Sequence, residues 1–183
     1  MSIDTSKFLE AYSIEFGYPK STKTIQGIKS LILDFAQTSL DVNLLEQATI
    51  WSIIYCETNA AMLPIIEVLQ TVQDTVAQRH IYELQMTYWD SGFYGRGYML
   101  IKRRKTYAEI SRLLKQHLPS KYNRESDGFL VLCPDKLLTK QIAFDALALI
   151  VLLKIPYILD SQISNNIVSY IPKFEKILND SLC

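Results

Sequence analysis

The chain is poor in the residues that carry the commonest site chemistries. It has three cysteines, Cys56, Cys133 and Cys183, and two histidines, His80 and His117. No two cysteines form a CxxC and the histidines lie far apart, so a zinc site is not expected. An odd, sparse set of cysteines also speaks against a disulfide scaffold and for reduced, mostly buried thiols. No GxxxxGK or GxGxxG phosphate loop occurs. Neither sign of charge is in surplus: 19 Lys and Arg balance 19 Asp and Glu. That balance removes the simplest argument for a nucleic-acid binder, and none is expected as a partner. The strongest apolar run, Ala146 to Leu153, is far short of the ~20 residues that span a bilayer. The opening MSIDTSKFLEAY lacks a basic region followed by an apolar run, so it is not read as a secretory signal. The expectation is a protein without a membrane span that is cytoplasmic when made, with any export supplied from elsewhere.

What is present is helical periodicity. With 183 residues and 49% hydrophobic content, the chain is long and apolar enough for one domain, 1–183, with a sizeable core. Asp4, Thr5 or Ser6 can cap a first helix carrying Phe8, Leu9, Tyr12 and Phe16, which Gly17 and Pro19 stop. A second starts near Ser21 or Thr22, with Ile25, Ile28, Leu31, Ile32 and Phe35 on one face. A third runs from about Asn43 to Thr58. Later helices carry Tyr107, Ile110, Leu113, Leu114 and Leu118, then a strongly apolar stretch capped by Thr139 and ending near Leu153. The last bears Ile163, Ile167, Tyr170, Ile171 and Phe174, and Pro172 is expected to bend it or cut it short. Residues 68–90 are polar with broken periodicity and read as a loop or short helix. Three of the six glycines fall in DSGFYGRGYML, as Gly92, Gly95 and Gly97. Glycines this close mark a turn, or a place where a ligand or another chain segment approaches the backbone.

Four segments, in order, resemble glycoside hydrolase family 19, and more closely its compact phage and bacterial branch of endolysins and chitinases. FLEAYSIEFG matches the opening of that branch. IWSIIYCETNAAMLPIIE is similar to the segment holding the catalytic glutamate, with Pro64 seven residues after Glu57. FYGRGYMLIKRRKTYAEI is similar to the Tyr-x-Gly-Arg-Gly loop and the helix that follows, including Tyr107. LCPDKLL resembles the Asn-Pro-Asp-Leu-Ala-Leu segment. The resemblance covers roughly residues 5–155 and implies an all-α, lysozyme-like domain with a Gly-rich loop or small hairpin in the middle.

The activity implied is hydrolysis of β-1,4 linkages in peptidoglycan, or in chitin, with inversion and without a cofactor or metal. Inversion takes two carboxyl groups ~6.5–9.5 Å apart, one protonating the leaving oxygen and one activating water. Glu57 matches the family's general acid; its plain reading is a solvated glutamate at a helix end. Glu67 is the candidate base; its plain reading is an exposed loop carboxylate. Asp74, Glu83 and Asp90 are weaker candidates. Gly95 and Gly97 would let the backbone pass close to a sugar. Arg96 would pair with a carboxylate or brace the loop, and Tyr94 and Tyr98 would stack on sugar rings or pack in the core. Lys102 would also line the substrate site.

Departures from the family cluster at this site. Cys56 stands where histidine precedes the glutamate, Leu100 where glutamine is usual, and Lys102 where threonine or serine is usual. Cys56 itself reads as a buried helix residue rather than a nucleophile. A lysine paired with Glu57 would favour its charged form, the wrong direction for a general acid. The second expectation is therefore a catalytically degenerate domain serving as a binding or structural component, for example of a phage particle or tail, with other proteins of that assembly as partners. A phage-encoded protein of either kind would act at the cell wall or in the virion. The run Lys102, Arg103, Arg104, Lys105 is the one dense positive cluster; it reads as a solvated turn, or as a lip that associates with a polyanionic wall or with phosphates.

Overall fold

The structure is a computed structural model that describes residues 3–19, 21–69, 75–155 and 165–182. These residues are mostly helical, with one two-stranded sheet. No helix among them is long and apolar enough to cross a membrane. They divide into two compact units, one formed by residues 1–63 and 144–183, the other by residues 64–143.

The first unit holds α1 (Thr5–Phe16), α2 (Thr22–Gln37) and α3 (Leu44–Glu57). Each starts at a side chain that satisfies the free N–H groups of a first turn. Asp4 accepts from the N–H groups of Ser6 and Lys7, Ser21 from that of Thr24, and Asn43 forms a reciprocal box with Glu46. Pairing at the ends of the chain closes the unit, since the Asp4 N–H donates to the Ser181 carbonyl at 2.8 Å. Helix α3 is apolar on every side, and Ile50 to Ile54 are all fully buried. Such a helix belongs in the middle of a core rather than on its surface. Trp51 is its centre: its ring lies 4.7 Å from Phe8, 5.7 Å from Phe35 and 5.9 Å from Phe174.

In the second unit, β1 (Ile65–Ile66) pairs antiparallel with β2 (Arg96–Gly97), Ile65 opposite Gly97 and Ile66 opposite Arg96. Between them lies α4 (Val76–Met86), capped by a reciprocal pair of Thr75 and Gln78. The short-helix alternative for residues 68–90 is thus the one adopted over 76–86. Its periodicity is broken because only Gln85 is buried. Then come α5 (Arg104–His117) and two single-turn helices, α6 (Pro119–Tyr122) and α7 (Phe129–Leu132). Helix α8 (Lys140–Leu152) starts one residue after Thr139, and the division between the units falls within it.

The last helix, α9 (Asn165–Ser181), is not cut short at Pro172: it continues through the proline to Ser181. Proline removes one backbone hydrogen bond there. The face carrying Ile167, Phe174, Ile177 and Leu178 is fully buried on both sides of it, and that packing holds the helix together. Ile163, assigned to the same helix, lies outside the described residues.

Candidate functional site

Glu57 is the last residue of α3, half-buried, and belongs to the first unit. Its environment is set by the turn that follows. Asn59, Ala60 and Met62 all adopt left-handed backbone conformations, with φ of 49°, 60° and 57°. Non-glycine residues rarely do so, and each such position costs roughly 1–3 kcal/mol and persists only where its surroundings impose it. Here they do. The Thr58 hydroxyl donates to the Ile54 carbonyl at 2.6 Å and accepts from the Met62 N–H at 3.1 Å. The Ala60 N–H returns to the Tyr55 carbonyl at 2.7 Å. Gly27 of α2 lets the turn approach: a Cβ there would sit 2.4 Å from the Met62 carbonyl oxygen.

This tight turn opens a cavity of about 660 Å³ within the first unit, with Glu57 on its wall. Tyr12, Phe16, Tyr18, Tyr55 and Tyr170 supply its aromatic surface. Burial pushes the Tyr12 hydroxyl well above its ordinary pKa and raises that of Tyr55, so both are neutral. The Cys56 thiol is also pushed up, by burial and then by the charge of Glu57. A thiol so held is a poor nucleophile.

Glu67 lies in the second unit, and its side chain is only 9% exposed. It is not the exposed loop carboxylate of the plain reading. Lys102 Nζ stands 2.8 Å from its Oε1. The Tyr88 hydroxyl and Gln85 Nε2 donate to the same oxygen at 2.8 and 3.1 Å. The Gly95 N–H donates to Oε2 at 2.9 Å. Burial alone would raise the Glu67 pKa, but Lys102, Gly95 and Gln85 together hold it below the usual carboxylate value. Lys102 is thus the partner of Glu67.

The glycine loop packs closely against its own unit. A Cβ on Gly95 would come within 3.0 Å of the Glu67 carboxylate, and Gly97, at φ 87°, lies against the Leu137 carbonyl. Arg96 takes both of the roles considered for it. Its Nε pairs with Asp135 at 2.7 Å, and its guanidinium also donates to the Gly92 and Tyr94 carbonyls and to the Tyr107 hydroxyl. Burial would lower the Arg96 pKa, and the Tyr107 and Asp135 contacts more than offset it. Tyr98 is 1% exposed, the core-packing alternative. Tyr94 is half-buried, stacked on Trp89 at 4.7 Å with the Arg96 guanidinium 3.8 Å from its ring centre.

Glu83 and Asp90 are exposed, and Asp74 lies outside the described residues. Arg103, Arg104 and Lys105 are exposed at the start of α5, whose first turn has no side-chain cap. Among the described residues no group of three His, Cys, Asp or Glu could hold a metal ion. Sequence reading passed over Tyr18, which lines the Glu57 cavity, and Gln85 and Tyr88, which complete the Glu67 cluster; hydrogen-bond partners so far apart in sequence leave no periodic signal.

Comparison with models of known protein families, with curated proteins and with solved structures finds no match to this chain.

Proposed function

We propose that the chain is a degenerate lysozyme-like domain that binds an amino-sugar glycan, peptidoglycan or chitin, through the Glu57 cavity. It serves as a binding or structural component, for example of a phage particle or tail, and does not hydrolyse the glycan efficiently. The observation that carries this reading is the state of Glu67. An inverting mechanism needs a second carboxylate that can take a proton from water. Glu67 is nearly enclosed, and four donors occupy its two oxygens. A carboxylate whose pKa is lowered by such contacts is also a weaker base. Lys102, which stands where the resemblance calls for a hydroxyl, is engaged in holding it.

The second reading, an active glycan hydrolase, is favoured by Glu57 alone. It stands on a cavity wall at the C-terminal end of α3, and the resemblance gives its position to the general acid.

Isolated peptidoglycan sacs, incubated with the purified protein and with its Glu57→Gln variant, separate the two. Co-sedimentation with the sacs and no soluble fragments by mass spectrometry is the result expected. Amino-sugar oligomers released by the parent and not by Glu57→Gln would establish the hydrolase instead. A protein that neither sediments with the sacs nor cuts them would overturn both.

A further inference from the structure

The first unit carries an aromatic ring that the fold does not use. Tyr18 is 77% exposed although it lines the Glu57 cavity. The tyrosines and phenylalanine deeper in that cavity are occupied with one another: Phe16 stacks on Tyr55 at 4.6 Å, and Tyr55 meets Tyr170 at 4.8 Å. Among the described residues Tyr18 makes no such ring contact. It is carried out of line by Gly17, which ends α1 at φ 80° with nothing within 4 Å of where its Cβ would be, and Pro19 fixes the backbone beyond it. A large ring held on the rim of a cavity and left open to water is a surface waiting for a flat apolar partner.

We propose that Tyr18 is the stacking platform of the glycan site, receiving the C–H face of one pyranose ring at the mouth of the Glu57 cavity. The proposal rests on the glycan-binding reading above and deepens it by naming the residue and the contact. The chemistry of the lining selects the partner. Glu57 is the one charged residue among the described lining residues, and Asn59, Asn166 and Thr24 add neutral polar groups. A nucleobase would also stack on a tyrosine, but the strand that brings it carries phosphates, and the described lining residues include no lysine or arginine to receive them. A sugar ring offers a stacking face with neutral hydroxyl and amide edges.

The test uses the full chain and β-1,4-linked N-acetylglucosamine tetramer, with affinity from calorimetry. Tyr18 is exposed, so Tyr18→Ala is expected to fold as the parent does, checked by circular dichroism. It should weaken tetramer binding by about tenfold, the loss typical of an aromatic anchor. Tyr18→Trp should stay within about threefold of the parent, and its emission should shift to the blue as the tetramer covers the indole. Tyr18→Ala binding as tightly as the parent, or tryptophan emission indifferent to saturating tetramer, would overturn the platform while leaving glycan binding intact. A parent that binds neither tetramer nor peptidoglycan would overturn both. A single-stranded DNA oligomer that shifts the emission when the tetramer does not would replace the sugar by a base.

Discussion

Replacing Gly27 by alanine sets two opposed effects against each other at one atom. Alanine is the better helix former, and in the interior of α2 the exchange should stabilise by about 0.8–1 kcal/mol on propensity alone. The added methyl, however, would lie 2.4 Å from the Met62 carbonyl oxygen, 3.0 Å from its carbonyl carbon and 3.1 Å from its Cβ. Two of those three atoms are backbone, and they belong to the turn in which Asn59, Ala60 and Met62 are already left-handed. A flexible side chain would rotate away; this turn has few other conformations to adopt. Overpacking of this kind costs about 1–3 kcal/mol, or more where the neighbour cannot yield. The clash is expected to win, for a net loss of about 1–2 kcal/mol in urea unfolding. Amide chemical shifts should move most at residues 59–62 and at Glu57, because the displaced turn continues from α3. If Gly27→Ala is as stable as the parent, or more stable by the propensity increment, the close approach of α2 to Met62 is not as described and the argument for how the turn is held fails with it.

Two further perturbations probe the second unit. Glu67 has a folded pKa below its ordinary value of 4.5, so the stability it contributes is complete above that value and is lost as the pH falls through the folded one. Urea unfolding followed from neutral pH downward should therefore show the parent losing stability in acid relative to Glu67→Gln; parallel pH profiles would mean that the cluster contributes no charge-dependent stability. Tyr107→Phe removes a hydroxyl that donates to the Tyr94 carbonyl at 2.8 Å and accepts from Arg96 at 3.1 Å. Since both partners are sheltered, a loss of about 1–3 kcal/mol is expected, and a melting temperature equal to the parent's would show that water replaces the hydroxyl.

What was legible in the sequence was the local chemistry. Asp4, Ser21 and Asn43 cap helices because their side chains reach N–H groups two or three residues on, and that information sits in consecutive letters. The close glycines announced a turn, and Gly97 does sit at φ 87° in a small hairpin in which Arg96 bridges to Ile101. Helix α4 was hard to see because it buries one polar residue, Gln85, where a pattern reader looks for an apolar stripe. Pro172 does not cut the last helix short because the packing of Ile167 and Phe174 that outweighs its local penalty is tertiary. The resemblance brought out Glu57 and Glu67, but not their different circumstances. Lys102 reads in the sequence as a threat to Glu57, and it pairs instead with Glu67, which the antiparallel pairing of β1 with β2 brings beside the Gly95 loop. Tyr18 sits between a helix-stopping glycine and a proline, a place where a sequence reading sees only the end of an element.

The Glu67 cluster also constrains how this chain can drift. One carboxylate is shared by Lys102, Gln85, Tyr88 and the backbone of Gly95, which lie on separate stretches of the second unit. Losing the carboxylate takes its counterion from Lys102; losing the lysine leaves an enclosed charge short of its counterion. Single steps away from this arrangement are each costly, whereas a concerted exchange to a neutral set is not. Descendants of this chain should therefore keep the four side chains together or abandon them together, and a lineage that regains a free carboxylate at position 67 has to give up the lysine at 102 first.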